Sequence, residues 1–192
     1  MKTILLFILV LLVSCGGGGD STRTVSFYGD SITSGTHSAD PNRWSPATWS
    51  PSPVQHIAQL AGVQGIDYSH DGASSADATI HPDASTIAVI RFGVADSVRG
   101  MAPDAFAANI TRLVGQARAQ GKDVILTGLT HAASVDTQPL DNVMRERAQA
   151  LGVRFVDVRA LGPGALADAL HPGEDYSRRI GEAIAQELRT IP

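Results

Sequence analysis

The chain has 192 residues, 43% of them apolar, 18% charged and 5% aromatic, and a formal net charge of −4. That length suits one soluble domain with a sizeable core. The acidic balance excludes a basic nucleic-acid footprint, and the scarcity of aromatics excludes a stacking platform for single strands.

The N-terminus reads as an address and not as part of the fold. Met1-Lys2-Thr3 is a short positive start, and Ile4 to Val13 is an uninterrupted apolar run. Such a run is too short to span a bilayer and suits the core of a signal peptide. Leu12-Val13-Ser14-Cys15 then places small residues before a lone cysteine, which resembles a bacterial lipobox. The resemblance implies removal of residues 1–14, lipidation of Cys15 and a membrane anchor at the cell envelope. An ordinary secretory signal with an incidental cysteine is the alternative. Cys15 is the only cysteine, so the exported domain has no internal disulfide. Residues 15–22, glycine-rich, read as the lipidated tether, and 23–192 as the domain.

The first strand is expected over Thr24–Tyr28, an apolar run that stops at Gly29-Asp30-Ser31. Gly35 to Pro53 follows as a long irregular segment, because Pro41, Pro46, Pro51 and Pro53 oppose regular structure. Trp44 and Trp49 lie in it and form either a wall for a substrate or a cover over the core edge. A helix is expected over Pro53–Leu60 with Ile57 and Leu60 inward, then a strand over Val63–Tyr68. Thr86–Phe92 is the strongest strand, apolar on both faces as in a central parallel strand. Pro103–Gln120 is an amphipathic helix with Phe106, Ile110, Leu113, Val114 and Ala117 on one stripe. A strand over Val124–Leu129, a helix over Asp141–Leu151, a strand over Val153–Val158 and a helix over Tyr176–Leu188 complete the chain. Alternation of this kind predicts an α/β fold of three layers, with a five-stranded, mostly parallel sheet between helices.

Ser31 falls at the carboxyl end of the first strand, where open α/β sheets place their ligands. The same residues also serve a plain strand-to-helix turn with an N-cap. A serine nucleophile needs a base, ordinarily a histidine held by a carboxylate. Asp168-Ala169-Leu170-His171 supplies both within four residues, in an irregular stretch before the last helix. Ser74, in Gly72-Ala73-Ser74-Ser75-Ala76, is a rival nucleophile. Its segment approaches the Gly-x-Ser-x-Gly elbow but lacks the final glycine, which favours Ser31. His37 lies near enough in sequence to approach Ser31. His70 with Asp71, and His81 with Asp83, are either local pairs or solvated turns. No close His-x-x-x-His pair, cysteine cluster or phosphate-binding glycine loop appears, so neither metal nor cofactor is indicated.

From Thr24 to the C-terminus the chain resembles the SGNH (GDSL) family of serine hydrolases, whose fold is flavodoxin-like. Phe27-Tyr28-Gly29-Asp30-Ser31-Ile32-Thr33 matches the first block, Gly72 stands at the second, Gly93-Val94-Ala95-Asp96 at the third and Asp168-Ala169-Leu170-His171 at the last. The resemblance implies Ser31 as nucleophile, His171 as base and Asp168 as its orienting acid. It implies the backbone amides of Ser31 and Gly72 as oxyanion donors, with an asparagine side chain as the third. Here Ala95 occupies the asparagine position and brings no donor. His37, Asn42 or a water can replace it, or the enzyme is slow, or the domain binds an acylated glycan without turnover. The reading that follows is an exported, lipid-anchored serine esterase. Its substrate is an acetylated carbohydrate or a lipid-like ester, with transfer of the acyl group to a sugar as a variant.

Overall fold

Thr24–Gly29 forms β1, buried from Val25 onward. The computed structural model describes residues 22–40 and 45–192 of the chain. Residues 1–21, with the signal peptide, Cys15 and most of the tether, lie outside the described residues, as do Asn42 and Trp44. After β1 comes α1 (Ser31–Ser34), a single turn. The segment expected to be irregular contains instead an antiparallel pair, β2 (Thr36–Ser38) and β3 (Pro46–Thr48). Pro46 is the first residue of β3 in a two-stranded ribbon, and there a missing N–H costs no central ladder bond.

α2 (Pro53–Ala61) begins with a capping box: the Ser52 side chain accepts from the Gln55 amide, and the Gln55 side chain accepts from the Ser52 amide. Its inward residues are Pro53, Val54 and Ile57, whereas Leu60, expected inward, is 39% exposed. The buried stripe starts about one turn earlier than expected and leaves Leu60 on its flank. β4 (Gln64–Asp67), β5 (Ile87–Arg91) and the short α3 (Val94–Val98) follow. α3 has too few residues to leave an amphipathic signature in sequence. α4 (Pro103–Ala119) buries the expected stripe in full. β6 (Asp123–Thr127), α5 (Gln138–Leu151), β7 (Arg154–Val156) and, after a 3-10 turn at Arg159–Leu161, α6 (Glu174–Arg189) complete the order. α5 starts three residues before the expected Asp141 because Pro139 suits a first helical turn. β7 is half the expected length.

The five-stranded sheet has the order β4-β1-β5-β6-β7, and all four pairings are parallel. Alternation along the strands sends Val25, Phe27, Ile87, Val89 and Ile125 to the α2/α6 face. Tyr28, Ala88, Ile90, Val124 and Leu126 face α4 and α5. The fold is therefore a three-layer α/β/α sandwich. From β1 the chain moves outward to β4, then crosses back to β5 on the other side. That reversal puts the topological switch point, where such sheets hold their ligands, between the carboxyl ends of β1 and β5.

Candidate active site

Gly29 ends β1 where no side chain fits: a Cβ there would stand 2.1 Å from Thr33 Oγ1 and 2.6 Å from the Arg91 carbonyl oxygen. Asp30 caps α1, its Oδ1 accepting from the Ile32 amide at 3.1 Å. Ser31 is the first residue of α1, so its own amide has no intrahelical acceptor. The serine is 7% exposed.

His171 Nε2 stands 2.9 Å from Ser31 Oγ, across 140 residues of sequence. His171 Nδ1 lies 2.8 Å from Asp168 Oδ2 and 3.0 Å from Oδ1. A carboxylate only accepts, so the Nδ1 proton points at Asp168 and the Nε2 lone pair at Ser31. Asp168 is itself held: the amides of Leu170 and His171 each donate to Oδ1 at 2.8 Å, and the Ser38 amide donates to Oδ2 at 2.8 Å. Burial works to raise its pKa, but the Ser38, His171 and Leu170 amides and the imidazole outweigh burial and bring it to about 2. The loop is further tied to the strand end of β6, since Ala133 and Ser134 donate to the Ala169 carbonyl.

Gly72 takes a left-handed φ of +66°, which turns its amide out of a regular path. Its loop is anchored on both sides. The His70 amide donates to the Gly29 carbonyl at 3.1 Å, and Ser34 Oγ donates to Asp71 at 2.8 Å. α3 closes the arrangement from β5. The Ala95 amide donates to Asp30 Oδ2 at 3.1 Å, while Asp96 Oδ1 accepts from Ser74 Oγ at 2.6 Å and from the Ser75 amide at 3.1 Å. One short helix thus grips the residue before Ser31 and the residues after Gly72. Burial raises the pKa of Asp30, opposed by the Ala95 amide and the Arg91 charge, and raises that of Asp96, opposed by Ser74 and Ser75.

The rival Ser74 is buried with its hydroxyl committed to Asp96, with no histidine bonded to it. His37 stacks on Trp49 with ring centroids 3.7 Å apart, and its Nδ1 lies 3.1 Å from the Gly35 carbonyl. Trp49 lines a cavity of about 150 Å³ with Pro51, Pro53, His56, Glu174 and Arg178. Ser31 and His171 do not line that cavity. Asp83 pairs with Lys122, not with His81, whose ring stacks on Tyr68. Among the described residues no three His, Cys, Asp or Glu side chains gather as metal ligands.

Sequence reasoning missed Arg91. It is 7% exposed, donates Nη1 to the Ile32 carbonyl at 3.4 Å and lies beneath α1. Burial lowers its pKa to about 10 against the pull of Asp30 and Tyr176. An arginine inside the apolar run 87–92 was the available signal. Nothing in the sequence marked the Ser38 amide, because it reaches Asp168 only through the β2–β3 ribbon.

A parallel three-layer sheet with a serine, histidine and aspartate joined at its switch point has the architecture of a serine hydrolase. Residues 27–179 match the GDSL-like Lipase/Acylhydrolase family, and the chain belongs to it. It is thereby an enzyme of the esterase and lipase kind, acting on ester bonds. The fold is shared with solved structures of low sequence identity. An aryl esterase of M. smegmatis superposes with a TM-score of 0.77 at 16% identity, over 89% of this chain and 100% of that one. A carbohydrate acetylesterase from Sinorhizobium meliloti gives 0.76 at 16%, with the same coverage. A lipase/acylhydrolase from Enterococcus faecalis gives 0.70 at 19%, over 88% and 96%. No curated protein sequence matches.

Proposed function

We propose that the chain is an exported serine esterase that cleaves its ester through an acyl-enzyme on Ser31. The observation that carries this is the continuous Ser31–His171–Asp168 relay, 2.9 Å and 2.8 Å long, at the switch point. Ser31 Oγ attacks the carbonyl carbon as its proton passes to His171 Nε2. The carbonyl oxygen becomes an oxyanion facing the amides of Ser31 and Gly72. The bond to the leaving oxygen then breaks, and the alcohol takes the proton from Nε2. Water attacks the acyl-enzyme with Nε2 as base, the carboxylic acid leaves and Ser31 regains its proton. Asp168 keeps the imidazole in the required tautomer and stabilises its cation.

The substrate is read as an acetylated carbohydrate or a lipid-like ester, in keeping with the acetylesterase and the lipase/acylhydrolase that share the fold. The apolar run Ile4–Val13 and Cys15 support export and a lipid anchor, with residues 23–192 as the working domain. Among the described residues no helix is long and apolar enough to cross a membrane. Ala95 favours a second reading, a weakened enzyme or a binder of acylated glycans.

Incubation of the whole protein with a fluorophosphonate, followed by intact-mass measurement beside Ser31→Ala, tests the first reading. One adduct, absent from the variant, is expected. An adduct that persists in Ser31→Ala points to another nucleophile, and no adduct in either protein shifts the assignment to the binder. Incorporation of a labelled fatty acid that stops in Cys15→Ser is the expected result for the anchor.

A further inference from the structure

Position 95 leaves the site one donor short, and the helix that carries it ends on a cation. The Arg99 backbone N–H donates to the Ala95 carbonyl at 3.2 Å, so residues 95 and 99 stand one turn apart on the same face of α3. The guanidinium extends toward the glycine loop: Arg99 Nη2 lies 3.9 Å from the point a Gly72 Cβ would occupy. Arg99 is exposed and forms no ion pair among the described residues. The Asp96 carboxylate, which feels the Arg99 charge, is already committed to Ser74 and Ser75. The same guanidinium lines a cleft of about 370 Å³ together with Gly72, Ala73, Tyr68 and Phe92.

We propose that Arg99 supplies the third oxyanion donor, in place of the side chain missing at residue 95. The inference rests on the Ser31 esterase reading. The guanidinium is a charged, forked donor, and its hydrogen bonds to an oxyanion are shorter and stronger than those of a neutral amide. Its longer reach compensates for a base one helical turn farther along α3. That base is fixed, because the Ala95 amide binds Asp30 and Asp96 binds the Ser74–Ser75 segment. The Ser31 amide approaches the oxygen from the start of α1, the Gly72 amide from its loop, and Arg99 from the α3 side.

The test uses the full chain with Arg99→Ala, Arg99→Lys, Ala95→Asn and the double variant Ala95→Asn/Arg99→Ala. Three quantities are measured: the rate of Ser31 phosphonylation by a fluorophosphonate, whose phosphoryl oxygen develops the same charge, and kcat and KM on acetyl and butyryl nitrophenyl esters. Arg99→Ala is expected to lower the phosphonylation rate and kcat about 10²-fold, with KM changed less than about threefold, since loss of one such donor costs about 10²–10³ in turnover. Arg99→Lys retains part of the rate. Ala95→Asn restores the rate in the Arg99→Ala background by more than it adds to the wild type. An unchanged unfolding midpoint of Arg99→Ala shows that the fold is intact.

A rate within about threefold of wild type in Arg99→Ala overturns the proposal. So does a loss confined to KM, which makes Arg99 a substrate-binding charge, or a double variant no faster than Arg99→Ala alone. Failure of the Ser31 reading looks different: the wild type then takes no fluorophosphonate, or Ser31→Ala still takes it.

Discussion

Asp168 is the most heavily bonded side chain of the site, and its environment makes a quantitative claim. Its pKa falls from the ordinary 3.8 to about 2, burial being outweighed by the Ser38, His171 and Leu170 amides and the imidazole. A depressed carboxylate stabilises the fold above its unfolded value and loses that contribution as pH falls through its folded value. The shift corresponds to about 2 kcal/mol. Asp168→Asn keeps the size of the side chain but favours the wrong histidine tautomer. It is expected to cut kcat by about 10⁴-fold, read by steady-state kinetics at neutral pH. A fall of less than about tenfold would show that the imidazole is oriented by something else. Gly29→Ala makes a separate demand, because the new Cβ meets the Arg91 backbone, which has no freedom to yield. A lowered unfolding midpoint together with slowed phosphonylation of Ser31 is expected.

At the scale of elements, α3 organises the site more than its five residues suggest. It binds Asp30 through the Ala95 amide and the Gly72 loop through Asp96. Asp96→Ala strips the acceptor from a buried hydroxyl and a buried amide, a loss of about 1–3 kcal/mol for each group left unsatisfied. Denaturant unfolding is expected to show it, along with a slower reaction at Ser31 through the loosened Gly72 loop. Ser74→Ala removes only one member of that pair and should leave the fluorophosphonate adduct in place. Loss of the adduct in Ser74→Ala, with the fold intact, would restore Ser74 as a candidate nucleophile. On the opposite rim of the sheet, Lys122 joins the starts of three strands. Its Nζ donates to Asp83, to the Ser85 carbonyl at 3.1 Å and to Ser85 Oγ at 2.6 Å, and Ser85 Oγ reaches Ser26 Oγ at 2.9 Å. This network holds the end away from the chemistry and leaves the carboxyl ends of β1 and β5 to the site.

At the scale of the molecule, acid stability reflects two opposed sets of carboxylates. Asp83, where burial is outweighed by Lys122 and Ser85, is brought to about 2, as is Asp168. Both contributions are complete above about pH 4 and disappear as pH falls through about 2. Asp30, Asp96 and Asp141 are raised by burial, so they take up protons earlier in the folded state and offset part of that loss. Asp83→Asn leaves the buried Lys122 cation unpaired and is expected to cost about 3 kcal/mol at neutral pH. The gap in unfolding midpoint between wild type and Asp83→Asn should close as pH is lowered through about 2; a constant gap from about pH 7 to about 2 would show that Asp83 is not the titrating partner. Much of this molecule was legible in its sequence, because apolar periodicity is a local property. The α4 stripe, the buried β5 run, the parallel layering, the Gly29-Asp30-Ser31 turn and the Asp168–His171 spacing each follow from residues that lie close together in the chain. What lay between them was not legible. The β2–β3 ribbon that delivers the Ser38 amide, the buried Arg91 beneath α1 and the short α3 leave no periodic trace. The strand order that sets β1 beside β5 is a choice among topologies that one periodicity permits. Local pattern therefore set the elements, the Gly29-Asp30-Ser31 turn and the Asp168–His171 pair. The meeting of Ser31 and His171 at 2.9 Å, 140 residues apart, came from the assembled fold alone. The packing of α6 and its preceding loop against the finished sheet makes that contact, and no local pattern encodes it.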